Sequence, residues 1–227
     1  IGRNVASIYY PSLSVAYNMG NAKVRTAYGE SGRLPYPTDA FTYYQVKGMS
    51  AYGPLLVPGQ KGNDNIRPER MREIEAGLDW TPARHQLGLT AYAQLTTDAI
   101  IYTPLLSSNG WIGNEPHNVG RVNGWGVELS WNWKAWQNAA KTADLNIFVT
   151  ANYQGNRVMD TGGVDIENLP NVLKEGQPAY AFYYKEVTGA RYDATGKYLG
   201  AKETDEYHFL GKPFPDFNGA FGFDLRL

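Results

Sequence analysis

The 227-residue chain contains no cysteine. It therefore holds no disulfide framework, zinc–thiolate cluster or cysteine nucleophile. That absence suits a cytosolic protein, and equally one that must cross an oxidising compartment without mispairing. Charge imbalance is missing too: 21 Lys+Arg stand against 22 Asp+Glu, which leaves no basic footprint for nucleic acid. No apolar run approaches the ~20 residues of a membrane-spanning helix. A membrane-spanning strand passes that test, because its residues alternate and escape a hydropathy window. Ile1 is not an initiator Met and no signal-peptide pattern follows it, so the chain reads as a mature or excised segment.

What is abundant is aromatic and glycine: 17 Tyr, 6 Trp and 25 Gly. That mix suits β-structure with turns and interfacial rings better than a helical enzyme core. Alternation recurs along the chain. From Trp125 the odd positions are Trp125, Val127, Leu129, Trp131 and Trp133, against Gly126, Glu128, Ser130, Asn132 and Lys134. The same period of two predicts strands at 10–19, 23–32, 73–80, 86–102, 144–155 and 217–227. The reading is about seven antiparallel strands and no convincing helix. A Gly20-Asn21 step turns the first pair.

Short turns near 19–22, 81–85 and 136–143 alternate with long connections near 32–69, 103–118 and 159–215. Unstructured loops beyond ~15 residues are uncommon in compact domains, so three on one side demand a reason. A transmembrane β-barrel supplies one: short turns on the periplasmic side, long loops outside, apolar residues toward lipid and polar ones toward the lumen. A soluble β-sandwich also alternates. Its inner face, however, is usually rich in Val, Ile and Leu and its outer face charged, whereas here apolar faces end in Trp or Tyr and polar faces carry Gly, Ala, Ser, Thr and Asn. With the long loops outside, Trp80, Trp131, Trp133 and Trp136 fall on one membrane edge, as an interfacial girdle requires. Trp125 lies higher on its strand, nearer the outer leaflet. Leu87, Leu89, Val127, Leu129, Ile147, Val149, Phe221 and Phe223 are expected to face lipid. Glu73, Glu75, Glu128, Asn146, Asn152 and Asp224 are expected to face the lumen.

These residues carry a family resemblance. The run RPERMREIEAGLDWTPARHQLGLTAYAQLTTDAII (67–101) resembles the barrel signature of TonB-dependent outer-membrane receptors of the SusC/RagA type. So do YPSLSVAYNMGNAKVRTAYGESG (10–32), NVGRVNGWGVELSW (118–131) and LKEGQPAYAFYYKEVTG (173–189) followed by LGKPFPDFNGAFGF (210–223), in the family's order. The resemblance implies an all-β antiparallel transmembrane barrel segment in the bacterial outer membrane, importing oligosaccharide or oligopeptide cargo. It also implies a SusD-like surface lipoprotein as lid and the TonB complex as partner. A 22-stranded transporter barrel needs about three times the strands counted. No plug domain or TonB box is seen, and Leu227 stands where barrels of this class usually finish on Phe or Trp. Residues 1–227 are accordingly read as part of the receptor barrel, with the plug absent. The alternative from another class is a self-contained β-rich surface adhesin or carbohydrate-binding module.

No catalytic set is found. His85, His117 and His208 lack partners at a motif spacing, and His85 is placed as a solvated turn residue. Glu73, Glu75 and Asp79 share one strand face like a glycosidase pair, but read better as a lumenal ladder opposed by Arg25 or Arg226. YDATGKYLG (192–200) offers only Asp193 where a calcium loop wants alternating carboxylates, so neither metal nor cofactor is expected. The long loops are rich in rings, and flat rings stack on sugars or pack peptide side chains. Phe182, Tyr183 and Tyr184 are consecutive, so some must leave the packed face. Trp111, Tyr183 and Tyr184 are the candidate ligand-binding residues.

Overall fold

The computed structural model describes residues 8–105, 108, 111, 113–163, 166–168 and 171–227. The Ile1 terminus and most of the tip of the 103–118 connection lie outside the described residues. In chain order the strands are β1 (Ser12–Met19), β2 (Ala22–Ser31), β3 (Tyr43–Ser50), β4 (Gly53–Gln60), β5 (Arg70–Trp80), β6 (His85–Pro104) and β7 (Asn114–Gln137). They continue as β8 (Asp144–Asp160), β9 (Ile166–Asn168), β10 (Asn171–Leu173), β11 (Ala181–Tyr192), β12 (Tyr198–Gly211) and β13 (Phe217–Arg226). A 3-10 turn occupies Pro37–Ala40.

The seven strands expected from alternation form one antiparallel meander, β1-β2-β5-β6-β7-β8-β13. Its register puts Ala22, Trp80, Leu87, Trp131, Val149 and Phe221 in one cross-strand row. The adjacent row is Lys23, Asp79, Gly88, Ser130, Thr150 and Ala220. Successive residues face opposite ways, so the first row is apolar and the second polar. Every residue expected to face lipid shares the apolar face, and every one expected to face the lumen shares the polar face. The Met19–Ala22 pair is closed by Gly20-Asn21, with Gly20 at φ +61°. A positive φ at the first central position is what a type II′ hairpin asks of glycine.

Among the described residues nothing packs on the apolar face. Leu13, Val15, Ile74, Phe221 and Phe223 are each more than half exposed. A sandwich would cover such residues with a second sheet. The buried apolar side chains among the described residues are Ile100, Ile101, Val158, Val172 and Ala181, all toward the long-connection ends. The strands form a wall one sheet thick, with a small core only beneath the loops.

The long connections depart from expectation, because two of them are folded. β3 and β4 form a hairpin joined to β7 by a single parallel bridge, Gln60 to Asn114. β9 to β12 form a separate four-stranded sheet. Pro54 and Pro58 interrupt β4, and proline in a run argues against a central strand. In β11 and β12 the register shifts at Phe182/Tyr183, Lys185/Val187 and Val187/Gly189. Each irregularity breaks the period of two, so these strands were not legible as alternation.

Candidate functional site

The polar face is organised around Arg25. Its Nη1 lies 2.9 Å from a Glu75 carboxylate oxygen and its Nε 3.7 Å from Asp79. Nη2 donates to Thr90 Oγ1 at 2.5 Å. The guanidinium lies over Gly77, where a Cβ would sit 2.7 Å from its carbon, so the glycine is what lets the cation lie flat on the wall. Glu73 accepts from the Gln94 amide. Arg226 does not join this cluster; it pairs with Asp144 at the short-turn end, because Asp144 is its cross-strand partner. The carboxylates thus form the expected ladder, with Arg25 as its cation. Arg25, Asp79, Thr90, Glu128, Asn152 and Asn218 line a shallow cavity of about 390 Å³. Glu128 is exposed there, and the Oδ1 of Asn152 is buried without a hydrogen-bond partner.

The apolar face ends in rings. His85 pairs with Trp133 across strands, and its ring lies near-parallel to those of Trp131 and Trp133, at 5.9 and 5.7 Å between centroids. His85 is therefore half-buried on the apolar face rather than solvated in a turn, because β6 begins at His85 and carries its alternation back to that residue. Trp125 sits at the other end of the face against Tyr153, 5.4 Å between centroids. From Trp125 to Trp133 is about 26 Å along a strand. At a tilt of ~35–45°, that matches most of an apolar band ~25 Å tall.

Above the wall, the 32–69 connection is fastened to β6 and β7. Asp39 is buried; its Oδ1 accepts from the Tyr102 hydroxyl at 2.9 Å and its Oδ2 from the Tyr36 amide at 2.8 Å. Burial, and then the bond to Asp39, push the Tyr102 phenol up to about 12. Lys61 pairs with Glu115, Asn63 donates to the Pro116 carbonyl, and Asn118 exchanges hydrogen bonds with the Arg67 backbone. These fasteners escaped sequence reading, although Pro37 followed by Asp39 is a legible start signal for a helical turn. His117 sits beside Glu115 on the same strand end, and His208 pairs with Tyr184 across β11 and β12.

The second folded connection is tied at its base. Glu175 accepts from the backbone and hydroxyl of Thr161, while Val158 and Gln177 are bridged through their backbones. Beyond it, the β11–β12 hairpin ends in a turn closed by Asp193, whose Oδ1 accepts from Thr195 and from the Lys197 amide. The Thr195 hydroxyl first, then the Lys197 amide, hold that carboxyl below its ordinary range. Tyr183 is half-buried under the Lys174 ammonium at 5.3 Å, whereas Tyr184 is exposed and meets Tyr207 edge-on at 5.7 Å. Trp111 is half-buried in the 103–118 connection. No ring pairing joins it to either tyrosine among the described residues.

A family model described as TonB dependent receptor-like, beta-barrel matches residues 2–226. The chain belongs to that family. TonB-dependent receptor P3 of Formosa agariphila is 24% identical over 277 aligned positions, which cover 99% of this chain and 27% of the relative. A structure of the RagAB peptide transporter matches with TM-score 0.75 at 18% identity, over 96% of this chain and 27% of its own. The RagAB peptide importer in its closed-closed state gives TM-score 0.78 at 19% identity, over 99% and 28%. This receptor chain thus spans little more than a quarter of the length of these relatives. The structural matches establish the fold of a receptor barrel wall, in keeping with the SusC/RagA resemblance of the motifs. The family resides in the bacterial outer membrane. The apolar face is therefore the lipid face, the polar face lines the lumen, and the short turns are periplasmic. Receptors of this kind are generally not enzymes.

Proposed function

We propose that the chain is an arc of the barrel of an outer-membrane receptor that imports oligosaccharide or oligopeptide nutrients without chemistry of its own. The observation that carries this is the two-sidedness of the wall. One face is uncovered and apolar between two rows of rings, and the other is polar and ion-paired around Arg25. Among the described residues, edge strands β1 and β13 each pair on one side only, which supports a larger barrel whose other strands, and a plug, come from the rest of the receptor. A SusD-like surface lipoprotein and the TonB complex are the proposed partners. Pairing with a lipoprotein is what the SusC/RagA resemblance of the motifs implies, and the ordered loop hairpins offer it an extracellular surface.

Trp111, Tyr183 and Tyr184 are proposed to line the mouth of the transport chamber and to stack on cargo. The test is uptake by cells carrying the intact receptor, with labelled oligosaccharides and oligopeptides supplied separately. Receptor-dependent uptake of one class, lost when TonB coupling is disabled, is the expected result. Equal uptake with and without the receptor for both classes would refute the import reading.

A further inference from the structure

We infer that His85 is a lipid-headgroup site: its Nε2–H donates to a phosphate oxygen of a glycerophospholipid in the periplasmic leaflet. The Trp131 indole N–H donates to His85 Nδ1 at 3.3 Å. A ring nitrogen that accepts carries no proton, so neutral His85 holds its hydrogen on Nε2. That nitrogen points away from Trp131 and has no protein partner among the described residues. An interfacial tryptophan usually turns its own N–H to the headgroups. Here that donor is spent on the histidine, and the outward donor becomes Nε2–H.

Position and surroundings select the ligand. His85 is the first residue of β6, at the short-turn edge of the lipid face, level with Trp133. The near-parallel rings of Trp131 and Trp133 lie beside it, 5.9 Å apart, and Trp80 and Trp136 are exposed along the same edge. A single N–H donor framed by apolar rings suits an amphiphile, whose phosphate meets the donor while its glycerol and upper acyl carbons cover the indoles. A free anion uses only the donor and leaves the rings uncovered.

The experiment places the intact receptor in nanodiscs of phosphatidylethanolamine and phosphatidylglycerol, or of a phosphate-free glycosyl diacylglycerol. Nitrogen-15 NMR of the His85 ring should show a protonated Nε2 and bare Nδ1, with phosphorus-31 dephasing of Nε2 in the phospholipid discs. Native mass spectrometry should find phospholipid retention roughly three- to ten-fold lower in His85→Phe, which keeps a ring and loses the donor. A protonated Nδ1, absent phosphorus dephasing, or equal retention by His85→Phe each overturns the assignment. So does inorganic phosphate giving the same Nε2 contact in the glycolipid discs, since the site is then one for a free anion. If His85→Phe fails to assemble, the wild-type NMR measurement still decides.

Discussion

The Tyr102 hydroxyl donates to a carboxylate oxygen of Asp39 across 63 positions of sequence, and Asp39 is 2% exposed. This contact pins the 32–69 connection to the strand end that rises above the membrane. Tyr102→Phe removes a hydrogen bond to a buried charge, worth about 1.5–3 kcal/mol. The expected outcome is local opening, with hydrogen exchange at the Asn63 and Ile66 amides roughly ten-fold faster or more and the wall strands unchanged. The pH dependence has a definite sign. The phenol is raised to about 12 from an ordinary value of about 10. Its stabilisation is therefore complete below the lower value and lost as pH climbs through the upper one. Wild type should lose protection over that window, and Tyr102→Phe should show no such step.

Leu129 and Ser130 are neighbours on opposite faces, midway between the Trp125 and Trp133 rows. Leu129→Arg puts a cation near mid-bilayer and should destabilise the folded receptor by about 2–4 kcal/mol. Ser130→Arg enters the wet lumen and should cost well under half of that. Denaturant titrations of the two variants in phospholipid vesicles measure the difference. Equal costs would mean the two faces are assigned wrongly.

Arg25 bridges Glu75, Asp79 and Thr90 with its side chain about one-third exposed. A double-mutant cycle of Arg25→Met with Glu75→Gln should return a coupling of about 1 kcal/mol, near the top of the range for accessible pairs. Gly77→Ala should displace the guanidinium, which lies 2.7 Å from the added methyl, and so lower that coupling while costing little stability of its own. A cycle energy indistinguishable from zero in low salt means the pair is solvated rather than structural.

Trp111→Ala, Tyr183→Ala and Tyr184→Ala test the chamber mouth. A stacking ring is worth about 1 kcal/mol, so a residue on the cargo path should lose affinity several-fold while surface levels stay normal. Titration of the intact receptor with its cargo reads this out. Tyr184, exposed beside Tyr207, should show the larger loss of the two tyrosines. Unchanged affinity in all three variants assigns these rings to loop packing.

The isolated 227-residue chain should aggregate in water and stay dispersed in detergent. Two edge strands and an uncovered apolar face leave it with unpaired backbone and exposed rings. Sedimentation in both media checks this; a monodisperse monomer with a cooperative melt in plain buffer contradicts the arc-of-a-barrel reading.

How much was legible in the sequence follows from the range of the forces involved. Alternation is written residue by residue, so Leu87 to Leu95 and Trp125 to Trp133 declared their strands and their faces without any partner. The Gly20-Asn21 turn did the same, because a positive φ is a local demand that glycine meets. The Trp80, Trp131, Trp133 edge was visible once turns and loops were told apart, since strand length converts directly into membrane height. What spacing could not carry were contacts between distant segments. Asp39 is an ordinary loop aspartate until Tyr102 comes 2.9 Å away. His85 is an ordinary turn histidine until β7 brings two indoles beside it. The β3–β4 and β11–β12 hairpins were hidden for a related reason: prolines and register shifts erase the period, and only cross-strand pairing keeps them extended. The sequence by itself determined a two-faced wall, because facing is a local, periodic property of the backbone. The tertiary structure decided which polar groups are paired and where the loops are fastened, because a buried hydrogen bond or ring contact exists only when remote segments meet.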